Sequence, residues 1–329
     1  MFSVVIPLYN KRAWIRRALD SIAAQEFPCT EVIVVNDGST DGGEEVVRAW
    51  GDPRLRIIDQ PNSGLSAARN AGLTAATQPF VAFLDADDEW LPTFLVRMRS
   101  LIEKYPGAVL YGSGFVAVAD GREQRHGAAG TGPAGGLVDF FWELSRGHVV
   151  HPSGIAVPRE AAIAVGGFLR GVTCFEDTIF FIKLAFTGPF VLTPEPLIRY
   201  DMAVPGQMLA AWRDGPGLAL EPSDLDRCVA DELRSRVNRR AKTQVEASFT
   251  SYAHRHLSAA VLKRAYWGRF DAVSRIMDEL RLGELNLGLP TTAVAWVARC
   301  AALHPSLRFV LNVVRPVRQA AIRALRPPA

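Results

Sequence analysis

Apolar and polar positions follow two alternating rhythms along the first part of the chain. Short runs rich in β-branched and aromatic residues, Val4 to Leu8, Glu31 to Asn36, Leu55 to Asp59 and Phe80 to Leu84, have the length of strands. Between them lie stretches with helical spacing: through Trp14, Ala18, Leu19 and Ile22, around Val46, Val47 and Trp50, and from Leu65 to Ala76. This βαβαβαβ order predicts an α/β fold, a mainly parallel sheet between helices, in which ligands gather at the carboxyl ends of the strands. Each predicted strand runs into a polar connection: Pro7-Leu8-Tyr9-Asn10, Asn36-Asp37-Gly38-Ser39-Thr40-Asp41, Gln60-Pro61-Asn62-Ser63-Gly64 and Asp85-Ala86-Asp87-Asp88. Singly these suit turns and caps, Asp37-Gly38 as a turn and Asp41 as the cap of a helix carrying Glu44 and Glu45. Together they converge on one crevice.

The fourth connection changes the picture most. An apolar run that ends in three carboxylates within four positions suits neither a core nor an ordinary turn. Two carboxylates about 4 Å apart repel by ~4 kcal/mol at an effective dielectric of ~20, so the cluster calls for a cation. A hard divalent metal takes one or two carboxylates together with phosphate oxygens, which predicts a phosphorylated substrate.

The four connections, with Val4-Val5-Ile6 before the first, Val34-Val35 before the second, Leu65-Ser66-Ala67-Ala68-Arg69-Asn70-Ala71-Gly72 after the third and Phe83-Leu84 before the fourth, resemble in order and spacing the successive signatures of the family 2 glycosyltransferases. That is an inverting family with a GT-A fold; the likeness covers residues 3 to about 90 and weakens towards residue 205. The resemblance implies a nucleotide-sugar donor, taken as a uridine diphosphate sugar, with Pro7, Tyr9 and Asp37 at the base and ribose. It places Arg69 near the diphosphate, Asp87 on Mn2+ or Mg2+, and Asp85 at the ribose or the metal waters. Asp88 supports that shell or meets the donor sugar. Gly166-Gly167-Phe168 followed by Phe175-Glu176-Asp177-Thr178 is similar to the family's later ED motif, which makes Asp177 the candidate base towards an acceptor hydroxyl and Glu176 either its orienting neighbour or an acceptor contact. Acidic residues also favour a helix start through the dipole alone. His151 is expected either at phosphate or acceptor or as a structural histidine, and Trp90 either as packing beneath the carboxylates, the reading preferred, or in the lining of the sugar pocket.

Composition bounds the rest. With 329 residues, about half of them apolar, the chain has room for one large or two medium domains. The predicted organisation is a catalytic domain over 1–205, a Gly/Pro-rich linker or loop over 206–222, and an all-α extension over 223–329. Cys29, Cys174, Cys228 and Cys300 show no CxxC spacing, so neither a zinc site nor a disulfide framework is signalled and a reducing, cytoplasmic setting is expected. No leader or membrane-spanning run is read in the sequence, and no nucleic-acid partner is expected. The net charge of +3 hides an asymmetry: after Glu284 there is no acidic residue, while Arg299, Arg308, Arg315, Arg318, Arg323 and Arg326 follow. That basic segment suits either peripheral contact with an anionic membrane face or packing on the catalytic domain. There is no GxxxxGKS loop, no GxGxxG after a strand and no nucleophile elbow, so ATPase, dehydrogenase and hydrolase readings lack their motifs. Two functions are left: a hexosyl- or N-acetylhexosaminyltransferase acting on a glycan or lipid-linked acceptor, and a non-catalytic nucleotide-binding module of the same fold.

Overall fold

The computed structural model describes residues 1–119, 122–127, 134–145, 150–172, 174–202, 204, 223–237, 243–266 and 280. They fall into two compact units, Met1–Glu143 with His148–Gln207, and Leu144–Gly147 with Met208–Ala329.

In the first unit the predicted alternation is present. Strand β1 (Phe2–Leu8) is followed by α1 (Arg12–Ala23), β2 (Glu31–Asp37), α2 (Gly43–Arg48), β3 (Leu55–Gln60), α3 (Leu65–Ala75) and β4 (Phe80–Phe83). These four strands lie in the order β3-β2-β1-β4, all parallel, with Val5 paired to both Ile33 and Phe83. Because β1 is covered on both faces, it is apolar without alternation apart from Ser3 and Pro7, and all seven residues are buried. Val4, Ile6 and Leu8 share one face of the sheet with Ile15, Leu19 and Ile22 of α1, spaced at helical period. Val5 points to the other face, where α3 crosses so closely that a Cβ on Gly72 would lie 2.2 Å from Val5 Cγ1.

Beyond β4 the sheet becomes mixed. The chain continues through β5 (Glu89–Trp90), α4 (Phe94–Lys104), β6 (Leu110–Ala119), β7 (Arg122–His126), β8 (Gly136–Val138), α5 (Phe140–Ser145), a single 3-10 turn at Pro152–Gly154, β9 (Ile155–Pro158), α6 (Arg159–Ala164), α7 (Glu176–Ala185) and β10 (Phe190–Asp201). Strand β9 enters antiparallel between β4 and β6, and β10 runs parallel to β6 and antiparallel to β5. The β10 register shifts between Thr193 and Ile198, where Pro194 and Pro196 cannot donate to the ladder. Met98, Leu101, Phe94 and Leu95 of α4 complete the core on the α1 face.

The second unit contributes α8 (Asp224–Val237) and α9 (Gln244–Tyr266). Each opens with a reciprocal cap, Ser223 with Asp226 and Thr243 with Glu246, in which side chain and backbone amide exchange hydrogen bonds. Leu225 lies in the first of these helices and Val245 in the second. Asp226 Oδ1 lies 2.9 Å from His256 Nε2 and ties them together. The expected linker over 206–222 and the basic segment after Glu284 lie outside the described residues. Among the described residues, no helix is long and apolar enough to cross a membrane.

Candidate active site

Helix α3 carries the side chain around which the site is built. Gly72 lets the helix settle on β1, Asn70 clamps the segment ahead of α7, and Arg69 enters the crevice. Asn70 Nδ2 donates to Phe168 O at 2.7 Å, and its Oδ1 accepts from Phe168 N at 2.8 Å. The Arg69 side chain is 1% exposed. Its Nη2 donates to both oxygens of Asp85 at 2.8 and 3.0 Å, and its Nη1 donates to Glu176 Oε1 at 2.8 Å. The Phe168 ring lies 5.1 Å from the guanidinium carbon. Burial works against the guanidinium charge, but Asp85 and Glu176 outweigh it and hold the group above its ordinary pKa.

Glu176 and Asp177 open α7. Phe175, just before them, has a left-handed φ of 65°, a strained state for a bulky residue. The other non-glycine residue with positive φ among the described residues is Asn10, at 50°, just before Lys11. Strained backbone therefore directly precedes two ionisable groups of the crevice. Asp177 Oδ1 accepts from its neighbour Thr178, from N at 2.6 Å and from Oγ1 at 3.2 Å. Burial, and then the adjacent Glu176, push the Asp177 carboxyl up to about 6.

The carboxylate turn after β4 is braced from several elements. Asp88 N donates to Asp85 O at 3.0 Å. Ser153, in the 3-10 turn, donates its hydroxyl to Asp88 Oδ2 and accepts from Asp85 N at 3.0 Å. Trp90 is buried as expected, stacked on Phe94 at 4.3 Å, with its Nε1 donating to Ser153 O. Asp88 is 1% exposed, and its Oδ1 has no hydrogen-bond partner among the described residues. Burial, with Asp85 and Asp87 nearby, raises the Asp88 pKa well above the carboxylate range. His151 Nδ1 accepts from Ser153 N at 3.2 Å, and burial lowers its pKa to about 4, so the imidazole is neutral at pH 7. It acts as part of the brace. Asp87 Oδ2 meets Lys11 Nζ at 2.7 Å, and its carbonyl accepts from Arg17 Nη2 at 2.8 Å.

The remaining expected residues lie at the ends of β1 and β2. Pro7 is buried within β1, and Tyr9 beyond it is 47% exposed. Asp37 accepts from Gln60 Nε2 at 2.7 Å, Ser63 N at 2.8 Å and Gly64 N at 2.9 Å, which orders the β3–α3 loop. Gly38 beside it has φ 73°, and a Cβ there would lie 2.8 Å from Asn62 N, so glycine is required twice over. Gly42, not Asp41, holds the N-cap position of α2; Asp41 Oδ1 accepts from Gly43 N and its Oδ2 from Arg12 N, joining the first two loops.

Residues 3–165 match the family model for glycosyl transferase family 2. That segment of the chain belongs to this family. Among curated relatives, an uncharacterised glycosyltransferase, YibD of Escherichia coli, is 44% identical over 101 residues, 30% of this chain and 29% of its own. The glycosyltransferase GlyA of Streptococcus pneumoniae is 37% identical over 34% of this chain and 16% of its own. The matched segments thus span less than a third of either relative's length. Among solved structures, residues 1–349 of Staphylococcus aureus TarS in complex with UDP-GlcNAc share the fold with a TM-score of 0.68 at 19% identity, covering 98% of this chain and 89% of that one. A mannosyltransferase from Pyrobaculum calidifontis in complex with GDP-Man and Mn2+ gives 0.55 at 22% identity, covering 98% and 85%.

Within the family 2 segment and the strands and helices that follow it, the structure brings Arg69, Asp85 and Glu176 into direct contact, with Asp177 alongside. Asp87, in the same turn, pairs with Lys11. Sequence reasoning assigns no role to Lys11, Asn70 or Ser153. Lys11 and Arg12 do leave a signal, since cations at the start of a helix oppose its dipole unless acidic groups are near. Among the described residues, no three His, Cys, Asp or Glu side chains form a complete metal cage. Asp85 and Asp87 nevertheless fit a hard divalent ion: one tight turn offers two carboxylates, the number such an ion takes when phosphate supplies further oxygens.

Proposed function

We propose that the chain is a divalent-metal-dependent, inverting glycosyltransferase. It moves a hexosyl or N-acetylhexosaminyl unit from a nucleotide sugar, taken to be a UDP-sugar, to a hydroxyl of a surface polysaccharide or glycolipid precursor. The observation that carries this reading is the buried Arg69, which joins the carboxylate turn to the first residue of the Glu176-Asp177 pair. A donor-side turn and a base are thereby held at a fixed separation. The nucleotide-sugar complexes of the fold neighbours support the donor class, and the Mn2+ of one supports the metal.

Asp177, with its pKa pushed up to about 6, is ionised at neutral pH yet basic enough to take a proton. In the proposed step it accepts the proton of the acceptor hydroxyl as that oxygen attacks the anomeric carbon. The bond from that carbon to the diphosphate oxygen breaks on the opposite face, and the nucleoside diphosphate leaves with the electron pair. A divalent ion held by Asp87 and Asp85 would supply electrostatic stabilisation of the departing diphosphate. Asn70 and Arg69 keep the Glu176-Asp177 helix start in place. Pro7, Tyr9 and Asp37 are assigned to the base and ribose side, with 1–205 as the catalytic domain, 206–222 as linker and 223–329 as a helical extension. The setting is cytoplasmic, with the arginines after Glu284 touching the inner membrane face.

A screen of nucleotide sugars with Mn2+, reading nucleoside diphosphate release with and without candidate acceptors, identifies the donor. With that donor, Asp177→Asn is expected to bind UDP as the parent does and to lose at least about a hundredfold in transfer. Undiminished transfer by Asp177→Asn would remove the base assignment.

A further inference from the structure

Lys11 is the cation already paired with the Asp87 carboxylate. Its ammonium lies 2.7 Å from Asp87 Oδ2, with side chains 18% and 12% exposed, and 5.5 Å from the centre of the Trp14 ring. The lysine occupies the N-cap position of α1, immediately after the left-handed Asn10. The same Asp87 is the carboxylate assigned to the divalent ion. An ammonium and a divalent cation on one carboxylate repel each other at close range in a poorly solvated crevice. A diphosphate beside them reverses the sign, since it attracts both.

We propose that Lys11 couples metal and nucleotide binding: it opposes a metal ion arriving alone at Asp87, and favours the same ion when a nucleoside diphosphate arrives with it. Lys11 is a positioning residue in this scheme, exchanging Asp87 for a phosphate oxygen. The consequence is reciprocal, because a coupling free energy between two ligands acts equally on both. The parent enzyme binds Mn2+ weakly by itself and UDP weakly by itself, and each strengthens the other. This inference rests on the reading of Asp87 as a metal ligand in a nucleotide site.

The test is Mn2+ titration of the full chain, followed by electron paramagnetic resonance of the free ion, without nucleotide and with saturating UDP or GDP. Lys11→Met is expected to bind Mn2+ alone about tenfold more tightly than the parent, and to lose most of the enhancement by nucleotide. Lys11→Arg keeps the charge and is expected to stay with the parent. Thermal unfolding confirms that both variants are folded, and the Arg variant supplies the comparison should the Met variant not be. Equal Mn2+ affinity for the parent and Lys11→Met overturns the coupling while leaving the metal site intact, as does a Lys11→Arg protein that binds Mn2+ alone more tightly than the parent. Absence of Mn2+ binding by every protein, with UDP and GDP alike, overturns the metal assignment itself and this inference with it.

Discussion

Arg69 holds a full charge where almost no water reaches it, and that charge is useful only because two carboxylates from distant parts of the chain close on it. Removing one member of a buried pair leaves the other uncompensated, which costs about 3–5 kcal/mol in comparable cases. The arginine therefore holds the carboxylate turn and the start of α7 together. Asp177 shows the same environment acting on an acid. Its pKa of about 6 predicts that kcat/KM falls about tenfold per pH unit below that value, since only the ionised form accepts a proton. The sign for stability is opposite. Between its ordinary 3.8 and about 6 the folded chain holds a proton that the unfolded chain has released, so Asp177 contributes declining stability as pH rises through that window. Urea midpoints measured across the window should show this slope in the parent and a flatter one in Asp177→Asn. Equal slopes would mean that the shift is absent. Asp85 and Asp87 stood out in the sequence because carboxylates closing an apolar strand form a local pattern, whereas Glu176 and Asp177 were singled out through the likeness to the family's later motif. Lys11 and Ser153 were not, because their partners lie 76 and 65 residues away.

At the scale of elements, α3 shows how a short motif can serve three ends. Arg69, Asn70 and Gly72 face the crevice, the α7 approach and β1 respectively, so the helix fixes the crevice by its own seating on the sheet. Gly72→Ala would drive a methyl group into Val5 and is expected to destabilise the protein by about 1–3 kcal/mol, measured by denaturant unfolding. Wild-type stability for that variant would show that α3 can move away from β1 without cost. The parallel strands β1 to β4 were legible because each is a compact apolar run. The antiparallel insertion of β9 was not, since Ile155–Pro158 is four residues long and its neighbours in the sheet come from far along the chain. Nor does the helical spacing from Leu225 to Val245 disclose where α8 stops and α9 begins. The capping pair Thr243 and Glu246 marks that boundary only once both are seen together.

For the whole molecule, the separation of charge is the main guide to cellular placement. Residues up to Glu284 are net acidic, and beyond it arginine is the only residue type among Asp, Glu, Lys and Arg. If that segment meets an anionic surface, each arginine near it contributes about 1 kcal/mol, and salt weakens the attraction. Flotation with phosphatidylglycerol vesicles should therefore carry the full chain up at low salt and leave behind a chain ending at Gly283. Equal flotation of both would remove the membrane assignment. The brace from Ser153 has a further consequence, for the order of assembly. During synthesis the ribosome delivers β1 to β4 and the carboxylate turn long before the 3-10 turn and β9. Until that later segment emerges, β4 has an unpaired edge and Asp88 lacks its hydroxyl partner. The half of the crevice that carries the carboxylate turn is thus translated early but completed late, and a nascent chain stalled before Pro152 would expose a sticky strand beside an unfinished acidic turn.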